Sequence, residues 1–418
     1  MTEPTALADR STGPELNAGQ LAAVQRRTIA ILAVGQILGG ISFGATVSLG
    51  AILAARISGD DALSGLATAS ITLGTALTAV PLAALARRRG RRPALATGML
   101  VALAGVGLVI TAVALAMFPL LLAGFVLIGA GQAANLQSRF AAADLATDAS
   151  RARDLSLVVW ATTIGAVLGP NLVGPGELLG DLVGMPELTG PYLFTIIGQL
   201  AGIALYLVAL RPDPLLTAHQ VIAARSATSD EITHVDRPRA AAFATVAIVG
   251  AHVVMVSIMA MTPIHLVHHG ATLTVVGLTL SLHIAGMYAL SPVFGILADR
   301  WGRVPTILLG YAILAACVAV IALAQHSTAA VTVALVLLGV GWSAATVAGA
   351  ALLTESSAET LRTRRQGRND FWMSLIGALG AIGAGSALGW AGFNGLALLA
   401  LPVLVVVVLL SPLGRRAS

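Results

Sequence analysis

The sequence has no lysine, a single cysteine and few charged residues. All 24 basic residues are arginine, 10% of the 418 residues are charged, and 4% are aromatic. Because Cys317 is the lone cysteine, the chain can form no internal disulfide and offers no zinc site built from several thiolates. A site for a soft metal would therefore have to use methionine and histidine. We also find no nucleotide-binding loop and no nucleophile constellation, so we do not expect an enzyme.

What the sequence does contain is long apolar stretches. The mean hydropathy is +0.90, and 57% of the residues are hydrophobic. This composition is typical of a polytopic membrane protein rather than a soluble domain. The 45 glycines favour close helix–helix packing. The pI near 10.3 does not indicate a nucleic-acid partner, because the arginines cluster between apolar runs. The lipid bilayer is the expected environment.

The apolar runs predict twelve transmembrane helices, since a span requires about 20 apolar residues. An even number of spans places both termini on one side of the membrane. The predicted spans are 28–55, 62–86, 93–115, 118–139, 154–175, 190–210, 241–265, 273–298, 304–324, 329–353, 370–391 and 393–412.

The arginine distribution predicts the orientation. If both termini are cytoplasmic, every arginine except Arg56 lies on a cytoplasmic segment, as the positive-inside rule requires. We therefore expect a multi-pass protein of the cytoplasmic (inner) membrane. The outer loops instead carry acidic residues, namely Asp60, Asp61, Glu177, Asp181 and Glu187.

The polar segments divide the chain into five parts. Residues 1–27 are polar and mixed in charge, and they are expected to form a cytoplasmic tail. Residues 28–210 and 241–412 each hold six spans. Residues 211–240 form the longest polar insert and are predicted to be a cytoplasmic linker, and residues 413–418 form a second cytoplasmic tail.

An internal repeat supports the division into two halves. Three segments of the first half recur in the second at nearly constant offsets, which indicates duplicated halves in parallel orientation. The matching segments are 125–131 with 335–341 at an offset of 210, and 85–91 with 297–303 and 160–165 with 372–377 at an offset of 212.

The segment Gly295-Ile-Leu-Ala-Asp299-Arg300-Trp-Gly302-Arg303 resembles the signature loop of the major facilitator superfamily. The resemblance implies an all-α integral membrane fold of two pseudo-symmetric six-helix halves and transport by alternating access. Asp299 ends a helix and can pair with nearby arginines, so Asp299, Arg300 and Arg303 form a predicted gating latch. The alternative is a simple positive-inside anchor.

The first-half copy of this loop, residues 83–92, departs from the pattern. It has Ala83 where glycine is expected and Arg87 where aspartate is expected. We therefore expect no acidic latch on that side, only a dense basic anchor. Elsewhere, Arg139, Asp144, Glu355 and Asp370 lie near predicted cytoplasmic ends of spans, where interfacial ion pairs are expected.

Two consecutive spans carry methionine and histidine at helical spacing. Met255 and Met259 are four residues apart on span seven, as are His283 and Met287 on span eight. Residues i and i+4 share one face of a helix. Thioethers and imidazoles are ligands that suit copper, whereas hard ions prefer oxygen. The alternative is packing, because methionine commonly fills gaps in apolar cores.

Within the superfamily, this pattern resembles the CcoA-like (CalT) transporters, which import copper. The resemblance implies that Met255, Met259, His283 and Met287 handle the metal, with copper, as Cu(I), being the transported substrate rather than a permanent cofactor. It also implies a protein that works as a monomer.

Three further residues are possible additional metal or proton sites. His252 lies on the same helical stripe as Met255, and its alternative is a hydrogen bond in helix packing. Met261 and His265 lie near the outer end of span seven beside other histidines, where a metal could be collected. A wet polar loop is the alternative there.

Two other transport functions remain open. One is proton-coupled efflux of lipophilic drugs, although the arginine that such exporters usually carry on span four is replaced here by Phe125. The other is uptake of a small organic nutrient such as riboflavin.

Overall fold

The computed structural model describes residues 18–60, 63, 65–228 and 236–415. These ranges contain helices, turns and connections but no β-strand, so the predicted all-α class is confirmed. The helices are α1 Ala18–Ser58, α2 Gly65–Arg89, α3 Arg91–Ala114, α4 Phe118–Ala141, α5 Arg151–Asn171, α6 Val173–Leu182, α7 Tyr192–Ala209, α8 Pro214–Thr228, α9 Pro238–His268, α10 Leu273–Tyr288, α11 Ser291–Trp301, α12 Arg303–Ala324, α13 Thr328–Glu355, α14 Glu359–Leu398 and α15 Leu401–Leu410.

The helices account for the predicted spans. Among the described residues, ten ranges are long and apolar enough to cross a membrane. One of them, Glu359–Gly414, is 56 residues long and breaks at Gly392, which has a φ of +69°, so it holds two passes. With α5, whose 21 residues also suffice for one pass, the total is twelve.

The predicted tail 1–27 needs a correction. Helix α1 begins at Ala18, so the last ten residues of that segment are helical, while residues 1–17 lie outside the described ranges. The cause is that Ala, Leu, Gln and Arg are good helix formers whether or not they lie in hydrocarbon. Apolarity marks the part of a helix that crosses the membrane, not its ends.

The predicted linker 211–240 also contains a helix, α8, and α9 starts within it at Pro238. Asp213 initiates α8, because its Oδ1 accepts hydrogen bonds from the backbone N–H groups of Leu215 and Leu216. The other carboxylate oxygen accepts from the N–H of Arg92 at the start of α3. The linker is therefore tied to the first half.

Span eight is divided into α10 and α11. Helix α10 ends at Tyr288, and α11 begins at Ser291 with Pro292 in its first turn. Proline lacks an N–H and is favoured at a helix start, which explains the break. The side chain of Ser291 donates to the carbonyl of Tyr288 and bridges the break.

The two halves repeat the same packing. Helix α1 packs on α5 as α9 packs on α14, α2 on α4 as α10 on α13, and α3 on α4 as α12 on α13. Gly90 and Gly302, 212 residues apart, have φ of +93° and +102° and cap α3 and α12 in the same way. The most extensive pairings between the halves are α2 with α14 and α5 with α11.

Candidate functional site

The methionines of the predicted metal site lie in one apolar cluster of the second half. Met255 on α9 and Met287 on α10 are buried there, and Met259 and Met261 are partly buried against the same cluster. Helix α13 packs on both α9 and α10, and it lines the cluster. The thioethers therefore share one cluster, and their burial is compatible with packing and with metal binding alike.

His283 lies fully buried on α10 and is held by α13. Its Nδ1 is 2.8 Å from the carbonyl oxygen of Leu335, so Nδ1 carries the proton and donates. This fixes the tautomer and leaves a lone pair on Nε2. Nε2 is buried and has no hydrogen-bond partner among the described residues. A histidine that ligates a metal commonly donates its other N–H to a carbonyl in this way.

His252 has a different environment. Its Nδ1 accepts a hydrogen bond from the indole N–H of Trp342 at 3.2 Å. Trp342 also makes an edge contact with Tyr288, with ring centroids 5.9 Å apart. Gly377 on α14 leaves room for the imidazole, since a Cβ there would lie 2.7 Å from its Cδ2. These contacts match the packing alternative for His252.

The histidines at the end of α9 form a separate cluster. His265 stacks on Phe393, and its Nε2 donates to the carbonyl of Gln325 at 2.7 Å. His269 donates from Nδ1 to the carbonyl of His265, and its Nε2 lies 3.3 Å from Nδ1 of His326. In the part of the chain that the structure describes, no group of three His, Cys, Asp or Glu side chains is arranged to hold a metal ion.

The opposite end of the bundle is rich in arginine and joins the two halves. We call this the arginine-rich end; it comprises the α2–α3, α4–α5 and α11–α12 connections and the first turns of α14. The carboxylate of Asp299 accepts from the backbone N–H groups of Ala152 and Arg153, at 3.1 and 2.9 Å. These N–H groups belong to the first turn of α5, where donors lack partners within the helix.

Arg303 completes this contact. Its guanidinium donates to Asp299 at 2.7 Å, to Glu355 at 3.2 Å and to the carbonyl of Asp148 at 2.7 Å. Two of the three residues of the predicted latch, Asp299 and Arg303, therefore lie in contact between the halves. Arg300 is exposed.

The first-half copy of the loop also joins the halves, which the sequence interpretation missed. Arg91 is 1% exposed and donates to both oxygens of Asp144, at 2.8 and 3.1 Å. It also donates to the amide oxygen of Gln366 on α14, at 2.7 Å. The loop is therefore more than a basic anchor. Its counterpart 212 residues later, Arg303, likewise pairs with an acid, and this repeat is a signal that could have been used.

Small residues let the helices of the two halves approach closely at this end. A Cβ on Gly295 would clash with the side chain of Ser156, and a Cβ on Gly367 would clash with Ala83. Ala83 therefore does not weaken the contact, because the glycine is supplied by the partner helix instead.

A buried ion pair also crosses the interface. Arg139 on α4 donates to Asp370 on α14 at 2.6 Å, with 3% and 0% of the two side chains exposed. Asn369 donates to the same carboxylate at 3.2 Å, and the face of Phe140 lies 4.9 Å from the guanidinium carbon. Arg139, Asp144, Glu355 and Asp370 each form an ion pair, as expected, and the arginine-rich end is closed.

An uncharged polar group lies at membrane depth in the first half. Asn135 packs against Gly39, and Gln36 donates to the hydroxyl of Thr162 at 3.1 Å. Gln199 is 3% exposed, and its Oε1 has no hydrogen-bond partner among the described residues. A cavity of about 10 Å³, room for one water molecule, is lined by Gly39, Ile128, Gly131, Gln132, Asn135, Thr195 and Gln199. Single amide side chains within apolar stretches form no recognisable motif, so the sequence interpretation missed this group.

Comparisons with known proteins bear on these features. The family model described as Major Facilitator Superfamily matches residues 32–272 and, a second time, residues 244–417. The chain is 38% identical over 363 residues to the uncharacterized MFS-type transporter YddS of Bacillus subtilis (strain 168), covering 84% of this chain and 83% of that protein. It is 31% identical over 357 residues to the riboflavin transporter RfnT of Brucella anthropi, covering 84% and 86%.

A solved structure shares the fold. The human organic anion transporter MFSD10 (TETRAN) superposes with a TM-score of 0.75 over 93% of this chain and 99% of that one, at 15% sequence identity. At this identity the likeness concerns the fold alone, and it confirms two six-helix halves arranged as the packing above describes. None of these relatives carries copper in its name.

Proposed function

The chain belongs to the Major Facilitator Superfamily, and on that premise we propose that this membrane transporter takes up a small organic nutrient of the riboflavin class. The observation that carries the proposal is the likeness to a riboflavin transporter over 84% of the chain. We further propose that the protein lies in the cytoplasmic membrane, that both termini are cytoplasmic, and that it works as a monomer by alternating access.

The amide group of the first half supports this substrate class. The flavin ring carries an imide, which presents donors and acceptors side by side, and the ribityl chain carries hydroxyls. Side-chain amides of Gln132, Asn135 and Gln199 offer the complementary donors and acceptors without a net charge. Neutral groups suit a site at membrane depth, where a charge is costly. The cavity is too small for a flavin in this closed conformation, so the site has to open before binding.

The experiment is uptake of radiolabelled riboflavin by riboflavin-requiring cells that express the chain. We expect uptake that unlabelled riboflavin competes away. Gln199→Leu keeps the size of the side chain and removes its hydrogen bonds, so KM should rise about tenfold for a loss of about 1.4 kcal/mol. Thr111→Val is the control, because that hydroxyl is exposed and, within the described ranges, bonds only to the carbonyl of Gly107 in its own helix. No uptake, with the protein present in the membrane, would refute the proposal.

Copper import is the second candidate, and the geometry of His283 favours it. The Nε2 lone pair of His283 is buried and has no partner in the described part of the chain, and it lies in the same half as the Met255 and Met287 thioethers. Cu(I) bound there would be cargo, held by neutral ligands weakly enough for release.

The copper hypothesis is tested with substitutions that preserve packing. Met255→Leu and Met287→Leu change the volume little and remove the sulfur, and His283→Ala removes the imidazole. If copper is the cargo, all three variants lose radiocopper uptake at unchanged protein level. If the methionines serve packing and copper is not the cargo, wild-type cells accumulate no more copper than cells without the protein. The Leu variants then take up riboflavin as the wild type does.

A further inference from the structure

A groove on the outside of the second half runs inward from the arginine-rich end. It lies between α9, α14 and α15 and has a volume of about 740 Å³, within the range of small-molecule sites. Most of its lining is apolar, and Val246, Trp372 and Val406 within it are 39%, 42% and 48% exposed. These side chains face the bilayer, so the molecules that reach them are lipids.

The length of the groove matches one leaflet. Its lining on α9 extends from Pro238 to Val253. Fifteen residues of helix rise about 22 Å. Half of a bilayer, including its headgroup region, is about 20–22 Å thick. The groove therefore spans one leaflet from the headgroup level to the midplane, which is the reach of a phospholipid with its acyl chains.

The headgroup end of the groove is cationic. Arg365 and Arg368 line it. Asp236 neutralises Arg365 through bonds of 2.6 and 2.8 Å. Arg368 is exposed and makes no hydrogen bond or ion pair with another described residue. The net charge of these three groups is +1, which complements one phosphodiester. Basic pockets between transmembrane helices commonly hold anionic lipid headgroups.

A buried acceptor also lies beside this end. Asn369 lines the groove and is fully buried. Its Nδ2 donates to Asp370, which fixes the orientation of the amide, and its Oδ1 has no hydrogen-bond partner among the described residues. An unpaired buried acceptor is costly. A hydroxyl of a glycerol headgroup would satisfy it.

We propose that this groove binds an anionic phospholipid with a hydroxyl-bearing headgroup, of the phosphatidylglycerol class. The phosphate lies at Arg368, the headgroup hydroxyl donates to Asn369, and an acyl chain lies along Val246 and Val406. The lipid then touches the residue that holds the Asp370 carboxylate, and it stabilises the closed arginine-rich end.

The test measures how much lipid the purified full chain retains. The protein in detergent is incubated with dioleoyl phosphatidylglycerol, dioleoyl phosphatidylcholine or inorganic phosphate, and bound lipid is counted by native mass spectrometry. We expect phosphatidylglycerol to be retained, phosphatidylcholine to be retained at least fivefold less, and phosphate to have no effect on thermal stability. Arg368→Gln should weaken phosphatidylglycerol binding about fivefold, as one cation contributes about 1 kcal/mol.

Matched controls separate the groove from the general surface. Arg364 is exposed on the same helix but does not line the groove, so Arg364→Gln should bind as the wild type does. Val406→Trp fills the groove and should abolish retention, whereas Val405→Trp, at a 53% exposed position outside it, should not. The proposal would be overturned if Arg368→Gln and Arg364→Gln bound phosphatidylglycerol equally, or if both lipids were retained equally. It would also be overturned if the protein formed a dimer that Val406→Trp dissociates, because a second copy of the chain would then occupy the groove.

Discussion

The Arg139–Asp370 pair makes a direct prediction about the balance between closed and open states. Asp370→Asn keeps the shape of the side chain and removes its charge, which leaves the buried Arg139 cation without a counter-ion. Among the described residues, Arg139 then keeps only uncharged neighbours: the amide oxygen at position 370, the face of Phe140 and the sulfur of Met373, 3.9 Å from its Nη2. The closed state therefore loses stability. A state in which the halves have separated at this end loses less, because water then reaches the guanidinium.

The magnitude follows from the burial of both partners. Removing one partner of a buried ion pair costs about 3–5 kcal/mol. Taking the lower figure as the difference between the closed and open states, the open-to-closed ratio rises about 150-fold. Replacing both partners, in Arg139→Gln with Asp370→Asn, removes the uncompensated charge. We therefore expect the double variant to recover most of the closed population.

A single cysteine reports the opening. Ser291 is fully buried between the halves, where its hydroxyl oxygen lies 3.1 Å from the carbonyl oxygen of Ser156. Ser291→Cys is nearly isosteric, and Cys317→Ala removes the only native thiol. In this background the maleimide labelling rate should be low, should rise up to about 150-fold with Asp370→Asn, and should fall again in the double variant. Equal rates in all three proteins would refute the reasoning, because the pair would then contribute nothing to closure.

Two further predictions concern the same end of the bundle. Gly367→Ala places a Cβ against Ala83, so we expect overpacking to reduce the free energy of unfolding by roughly 1 kcal/mol and to lower the melting temperature. Ala83→Gly should partly restore it, and a melting temperature unchanged in the single variant would contradict the prediction. Arg365 lowers the pKa of Asp236 mainly through its hydrogen bond to the carboxylate. Asp236 therefore stabilises the fold above its unfolded pKa of about 3.9, and this stabilisation is lost as pH falls through the lower pKa of the folded state. The free energies of unfolding of Asp236→Asn and wild type should therefore differ by at most about 1 kcal/mol between pH 5 and 8. The difference should begin to shrink as pH falls below about 4 and vanish below the folded pKa, whereas a gap that widens on acidification would show that another group is responsible.

The sequence predicted the spans well because hydrocarbon imposes one strong requirement on composition. A run of about 20 apolar residues marks a crossing wherever it occurs. The same criterion does not detect helical residues that lie outside the bilayer, so the N-terminal extensions of α1 to Ala18 and of α14 to Glu359 were missed. The second extension matters most, because it places Gln366 and Gly367 at the interface between the halves.

The candidate sites were less predictable, since they depend on which faces meet. The spacing of Met255 and His283 was visible, but not that α13 lies against both helices. Likewise, Arg91 looked like an ordinary positive-inside arginine, and the ion-pair partner of Arg139 was not predicted, although each bonds a residue more than 200 positions away on the other half. One sequence alone does not reveal such pairings. The 212-residue offset between Arg91 and Arg303 would have suggested that both loops contact an acid.

The same offset explains why the first-half loop can do without an aspartate. Asp299 binds the N–H groups of Ala152 and Arg153, which are available because α5 begins at Arg151. The first turn of a helix leaves its donors without internal partners and favours an anion. The positions 212 residues later are 364 and 365. They lie inside α14, because that helix begins at Glu359.

Backbone donors at positions 364 and 365 are therefore used within α14, and an aspartate opposite them would find no partner. Arg87, at the position equivalent to Asp299, is exposed instead. The tie between the halves is made there by Arg91 with Gln366. An Asp in place of Arg87 should accordingly leave the labelling of Ser291→Cys unchanged, whereas Asp299→Asn should raise it, because only the second interface has helix donors that require a carboxylate.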